Sequence, residues 1–283
     1  MKKILVGALI VVILLTGVAY YILAPSKVSP AILYIENGAV EVNTGAGWTA
    51  GVNEMELPQG ASVRTKHDGT ATVVLMEGEI LSLQPETEVR LDKITSKKLY
   101  VTQLAGETWN KITKLSGIKE YKIQTPSTVA TVRGTEFFFT DTELDVGEGE
   151  VQYGTREDEQ RIVVREHKRA LKEKFVEEDM PEETIARMKQ FPKRYLKILK
   201  QVRARELRKH KFIMRQVKNR GVSEEQIEFF MNELDEGRQD EDEIMKKVPS
   251  PLQPKAKRTQ MLTKEIKHIT QQLKQQAEAR QEP

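Results

Sequence analysis

The chain has 283 residues, 39% of them hydrophobic, and a formal charge of only +3, which is apolar content for one good core but not for two large ones. It contains no cysteine, so disulfide frameworks, thiolate nucleophiles, zinc–thiolate sites and an amino-terminal lipid-bearing cysteine are excluded. The near-neutral total hides segregation, because 20 Lys and Arg face 8 Asp and Glu between Arg161 and Arg220, whereas Gly221 to Lys247 is acidic.

Met1-Lys2-Lys3 is followed by Ile4 to Leu23, an uncharged stretch of about the length a helix needs to cross hydrocarbon. Tyr20 and Tyr21 stand near its far end, where aromatic rings favour the interface, and Pro25 stops the helix. A cleaved signal peptide competes with this reading, but Ile22-Leu23-Ala24 before Pro25 is a poor cleavage site. The expectation is an uncleaved, single-pass signal anchor spanning the membrane through residues 4–23. Lys2 and Lys3 place Met1 in the cytoplasm and the bulk of the chain in the periplasm or outside the cell. Residues 1–24 are thus tail and anchor, and 25–30 a linker.

From 31 to 165 the pattern is short β-branched and aromatic runs broken by turn signals, among them Ile32–Ile35, Ala71–Met76, Ile80–Leu83, Val89–Leu91, Tyr121–Ile123 and Val151–Tyr153. Such spacing predicts an all-β unit, with one face of several strands buried and one wet. A recurring Gly-Glu (Gly78-Glu79, Gly106-Glu107, Gly149-Glu150) hints at stacked similar units. Trp48 and Trp109 read as core or edge plugs, with a sugar-stacking platform as the sharper alternative. Phe137-Phe138-Phe139 breaks the alternation, which requires both faces of that strand to be covered, the second by the helical region that follows.

The densest signal is Thr125-Pro126 followed by Ala130-Thr131-Val132-Arg133-Gly134-Thr135-Glu136-Phe137. A lone glycine in such a run marks a bulge, a corner or a close backbone approach. Arg133 reads either as a structural residue satisfying carbonyls or Glu136, or as a ligand-binding arginine. The run resembles the signature of the FecR-type extracytoplasmic domain. Upstream landmarks agree in order: Gly38-Ala39-Val40, Trp48, Gly60 before Ser62-Val63-Arg64-Thr65, Asp68-Gly69-Thr70-Ala71, Glu77-Gly78, Ile80 to Thr87, then Gly106 and Trp109. The resemblance covers residues 36–165. It implies a twisted β-solenoid-like array, a sandwich being the other arrangement left open, with interaction residues Thr125, Pro126, Val132, Arg133, Gly134, Thr135, Glu136 and Phe137. Well-known members relay a signal from an outer-membrane receptor to a sigma factor through a cytoplasmic anti-sigma segment. Only Met1-Lys2-Lys3 precedes the expected span here, so that segment is expected to be missing.

Residues 166–248 turn to charged helix. A start at Asp179 with Pro181 and Glu182 predicts a helix to Arg220, kinked at Pro192, and Ser223 with Gln226 forms a capping box for the next, through Leu234. Asp240 to Val248 reads as one more helix, 249–257 as a Pro-rich linker, and 258–283 as a polar tail whose helix carries Leu262, Ile266, Ile269 and Leu273 as a short seam suited to docking or to a homo-oligomer. Lys193, Arg194, Lys197, Lys200 and Arg203 make the long helix cationic and amphipathic, either a scaffold or a contact for anionic lipid or cell-wall polymer. Nucleic acid is not expected on the far side of a membrane.

Chemistry finds little purchase. His67, His167, His210 and His268 are scattered and outside any catalytic motif. A calcium loop opening at Asn232 fails at its third place, Leu234, where an oxygen ligand is required. No catalytic, cofactor or metal residue is assigned. The expectation is a membrane-anchored, non-catalytic scaffold or signalling-accessory protein that binds another extracytoplasmic or membrane protein. The alternative is a cell-wall or glycan attachment protein using Trp48, Trp109 and the cationic helix.

Overall fold

The computed structural model describes residues 31–76, 78–113, 118–132, 134–157, 161–209, 223–247 and 253–278. Strands β1 (Ala31–Asn37), β2 (Val40–Asn43), β3 (Trp48–Ala50), β4 (Ser62–Thr65), β5 (Thr70–Leu75) and β6 (Glu79–Leu83) open the fold. Next come β7 (Glu88–Ile94), β8 (Lys98–Ala105), β9 (Thr108–Lys111), β10 (Glu120–Gln124), β11 (Thr128–Val132) and β12 (Glu136–Phe139). The last are β13 (Glu143–Glu148), β14 (Glu150–Thr155), β15 (Ile162–Arg165), β16 (Lys168–Leu171) and β17 (Glu177–Asp179). They form an eight-stranded sheet, β1-β5-β6-β9-β12-β13-β16-β17, and a nine-stranded sheet, β15-β14-β11-β10-β8-β7-β4-β2-β3. Alternate residues of both sheets feed one apolar core, with Leu33, Val73, Leu81, Phe137 and Phe139 from the first and Val63, Leu91, Val101, Ile123 and Tyr153 from the second.

The expected β-solenoid is therefore corrected to two sheets sharing a core. A solenoid would stack successive coils in parallel, whereas every strand pairing except β8 with β10 is antiparallel. The Gly-Glu recurrence has another cause. Gly78, Gly106 and Gly149 sit at strand junctions with φ of +135°, +80° and +82°, a backbone region closed to most side chains. The recurrence marks turns that need a left-handed residue, not a repeating unit.

Helices α1 (Glu182–Met188), α2 (Phe191–Lys209), α3 (Glu224–Asp235), α4 (Glu241–Lys247) and α5 (Gln253–Glu278) follow. Pro192 stands in the first turn of α2, where its missing N–H is no loss, so the helix predicted from Asp179 starts afresh there instead of kinking. Pro181, not Asp179, takes the N-cap position of α1, without a side-chain cap. The capping box at Ser223 and Gln226 forms as expected, with Gln226 N–H donating to Ser223 Oγ at 3.2 Å and Ser223 N–H to Gln226 Oε1 at 2.9 Å. The chain divides into a compact unit of Ser29–Leu199 and a second that includes Lys200–Pro283.

The single-pass membrane placement does not stand. Among the described residues no helix is long and apolar enough to cross a membrane, and the expected anchor at 4–23 lies outside them. The two long helices, α2 with 19 residues and α5 with 26, carry charges on nearly every turn, which hydrocarbon would penalise heavily. The periplasmic or extracellular location inferred from that anchor falls with it.

Candidate protein-interaction site

The signature stretch carries the chain from one sheet to the other. β11 pairs with β10 and β14 in the nine-stranded sheet, and β12 with β9 and β13 in the eight-stranded one. Between them Gly134 adopts φ +77°, and Thr135 C=O accepts the Ile112 N–H at 2.8 Å. The corner is crowded. A Cβ on Gly149, itself at φ +82°, would lie 2.9 Å from the Gly134 carbonyl oxygen and 2.9 Å from Thr135 Cγ2, closer than real Cβ atoms come. Arg133 lies outside the described residues.

Several polar side chains of the stretch bond to neighbouring parts of the fold. Thr125 Oγ1 accepts the Thr128 N–H at 2.8 Å and lies 2.7 Å from Thr128 Oγ1. Ser127 Oγ donates to Asp141 Oδ1 at 2.6 Å, which locks the β10–β11 turn to the β12–β13 turn. Burial pushes the Asp141 carboxyl up, but the Ser127 and Thr125 hydroxyls and the Lys172 charge outweigh it and hold the group below its ordinary value. Glu136 accepts from Lys111 Nζ at 3.1 Å, and Glu148 takes the same ammonium from its other side. Burial opposes the charge on Lys111, yet those two carboxylates prevail and raise its pKa. Lys111 was not legible as the partner of Glu136, because register alone places them opposite each other. Pro126 is exposed, and Val132 and Thr135 are buried.

Phe137, Phe138 and Phe139 divide between the two faces of β12. Phe137 and Phe139 enter the shared core, their centroids 6.4 Å and 6.3 Å from those of Tyr121 and Tyr153. Phe138 points to the opposite face, against Phe191 at 5.0 Å, and Trp109 from the neighbouring strand stacks on the same Phe191 at 4.6 Å. The expected second cover is thus the start of α2. Arg187 pairs with Glu107 and lies over the Phe138 ring, and Arg194 pairs with Glu36 at 2.9 Å. Inside the core a polar chain joins the sheets: Tyr121 Oη donates to Asn110 Oδ1 at 2.6 Å, Asn110 Nδ2 to Thr108 Oγ1 at 2.9 Å, and Thr108 Oγ1 to Gln103 Oε1 at 2.7 Å. Burial, and after it the Glu79 charge, push the Tyr121 phenol well up, so it serves as a neutral donor.

Residues 61–152 match the family described as FecR protein. That stretch of the chain is similar to a FecR domain. Two crystal structures of a protein from Parabacteroides distasonis ATCC 8503, provisionally described as an anti-sigma factor, share 15% identity with it at a TM-score of 0.37. The match covers 42% of this chain and 59% of that one, so this chain spans about three fifths of their length. A comparison with the curated proteins returns no match.

The fold leaves little of the expected aromatic or cationic site available. Trp109 is 1% exposed under Phe191, and Trp48 carries the Arg64 guanidinium 4.0 Å from its ring centroid. On α2, Arg194 is bound to Glu36, Lys200 to Asp235 at 3.1 Å, and Arg203 to both oxygens of Asp235. Lys193 and Lys197 are exposed. The five cations predicted as one contact surface are therefore not a free stripe.

Proposed function

We propose that this protein is a non-catalytic, protein-binding accessory of a signalling system, acting through its FecR domain. The single observation that carries the reading is the FecR match at 61–152. The geometry is consistent with it, since Thr125, Ser127 and Glu136 of the signature tie turns and neighbouring strands together. The glycan-attachment alternative has no observation in its favour, because both tryptophan rings are engaged within the protein.

Photo-crosslinking residues placed at Thr49 and Val163, on the two edge strands of the nine-stranded sheet, and at Phe229 on α3 test the reading in cells. The expected result is a discrete protein adduct from the β positions. Absence of protein adducts at both edges, or adducts from Phe229 alone, would overturn it.

A further inference from the structure

The nine-stranded sheet gathers a cationic surface that no contiguous stretch of sequence displays. Lys93 of β7 is in register with Tyr100 of β8, and Tyr100 with Lys122 of β10, so the three form one row across adjacent strands. Lys98 stands two residues before Tyr100 on the same strand face. Beyond the strand ends, Lys119 N–H donates to the Lys97 carbonyl at 2.8 Å, which brings two more ammonium groups to the margin of the row. Lys93, Lys97, Lys98 and Lys119 are exposed and Lys122 is half-buried.

These charges are poorly balanced. Within the group Glu120 alone supplies a carboxylate, and it is engaged by Lys98 at 2.9 Å. Nearby Asp92 is taken by Arg90 and the Thr102 hydroxyl. Among the described residues no ion pair reaches Lys93, Lys97, Lys119 or Lys122. Flanking strands two places apart lie about 10 Å apart, within roughly one Debye length at physiological salt. The lysines therefore repel one another, and an incoming anion would relieve that repulsion.

We infer that the Lys93–Tyr100–Lys122 row and its margin bind an acidic segment of a partner protein. Charge complementarity selects an anion, and the state of Tyr100 selects which. Single-stranded nucleic acids and glycans use open aromatic faces for stacking, but the Tyr100 ring already carries Lys93 Nζ at 5.4 Å and Lys98 Nζ at 5.9 Å from its centroid. What the surface offers is a field of ammonium groups on a flat sheet, suited to carboxylates along a peptide. This chain's own acidic stretch does not fill that role, since Glu241 and Asp242 are bound to Lys267 and Lys264, and Asp235 to Arg203. The inference deepens the protein-binding reading and rests on it.

The test uses the full chain and three labelled probes followed by fluorescence anisotropy: a polyglutamate peptide, a single-stranded oligonucleotide of equal charge and a sulfated polysaccharide. Polyglutamate should bind best, with affinity falling steeply as salt rises. Reversal of Lys93, Lys97 and Lys119 to Glu should weaken it about tenfold or more, and neutralisation of the same three to Gln should have an intermediate effect. Reversal of Lys193 and Lys197 should change little, and thermal melts verify that each variant folds. No polyglutamate binding, binding indifferent to the reversals, or tighter binding of the oligonucleotide or polysaccharide would overturn the inference. If the edge-strand crosslinks still form in that event, the acidic partner falls and the protein-binding reading survives.

Discussion

On α2, Arg194 reaches Glu36 and Arg203 reaches Asp235, whereas Lys93, Lys97, Lys119 and Lys122 around the nine-stranded sheet meet no carboxylate at ion-pair distance among the described residues. Both regions are rich in cations, and the helical one is by far the more conspicuous in the sequence. Charge density along a chain measures only how many cations are nearby, and tertiary neighbours decide how many are already neutralised. A helix with one apolar face must pack, and packing brings acidic groups to its flanks. A solvated sheet face has no such obligation.

Removal of the acid from the most buried pair should give the largest break in that comparison. Arg203 is 5% exposed and Asp235 2%, so Asp235→Ala strands a guanidinium and should cost the helical unit about 3–5 kcal/mol, read by urea unfolding followed in the far ultraviolet. Trp109→Ala should cost the β unit about 3–5 kcal/mol through the cavity it leaves under Phe191. A double-mutant cycle between Trp109 and Phe191 should show a coupling of about 1 kcal/mol; additivity of the two would mean that α2 does not anchor there.

Smaller effects sharpen the contrast. Glu36→Ala frees Arg194 at a half-exposed site and should cost about 1 kcal/mol or less. Lys122→Gln should leave stability unchanged or raise it by up to about 0.5 kcal/mol at low salt, with the difference vanishing at high salt; a clear loss would mean that its charge is paired after all. At the smallest end stands Glu143. Burial, ahead of the opposing Arg169 charge and reinforced by Asp145, raises its pKa above the ordinary 4.5. The folded state then holds that proton more tightly than the unfolded chain, so the contribution is full below the unfolded pKa and is lost as pH rises through the folded one. Glu143→Gln should accordingly gain on the parent chain in melting temperature between about pH 4 and pH 7, and an unchanged difference across that range would remove burial as the cause.

Much of the β unit could be read from local pattern. Val89 and Leu91, alternating with Glu88 and Arg90, announce a strand with one wet face, and the Ser223 capping box announces a helix start. Phe137-Phe138-Phe139 correctly demanded a cover on both faces. The arrangement of the strands was not legible, because Gly78, Gly106 and Gly149 state that the chain turns and not which sheet it turns into. β16 and β17 were missed for a related reason: Lys168–Leu171 and Glu177–Asp179 are polar edge segments with too little apolar alternation to signal a strand. Of the signature stretch, the Gly134 corner was visible in one dimension, but Lys111 was not, since its two acidic partners lie on other strands.

By itself the sequence determined where most of the strands and helices form, where left-handed turns fall, and that Thr125 to Phe137 bears a FecR-like signature, because each depends on residues adjacent along the chain. Only the tertiary structure decided that the strands make two sheets around one core, that the cations of α2 are spoken for, and that lysines from three strands share a surface. Those outcomes depend on hydrogen-bond register and on Coulomb interactions between groups distant in sequence, which local propensity does not encode.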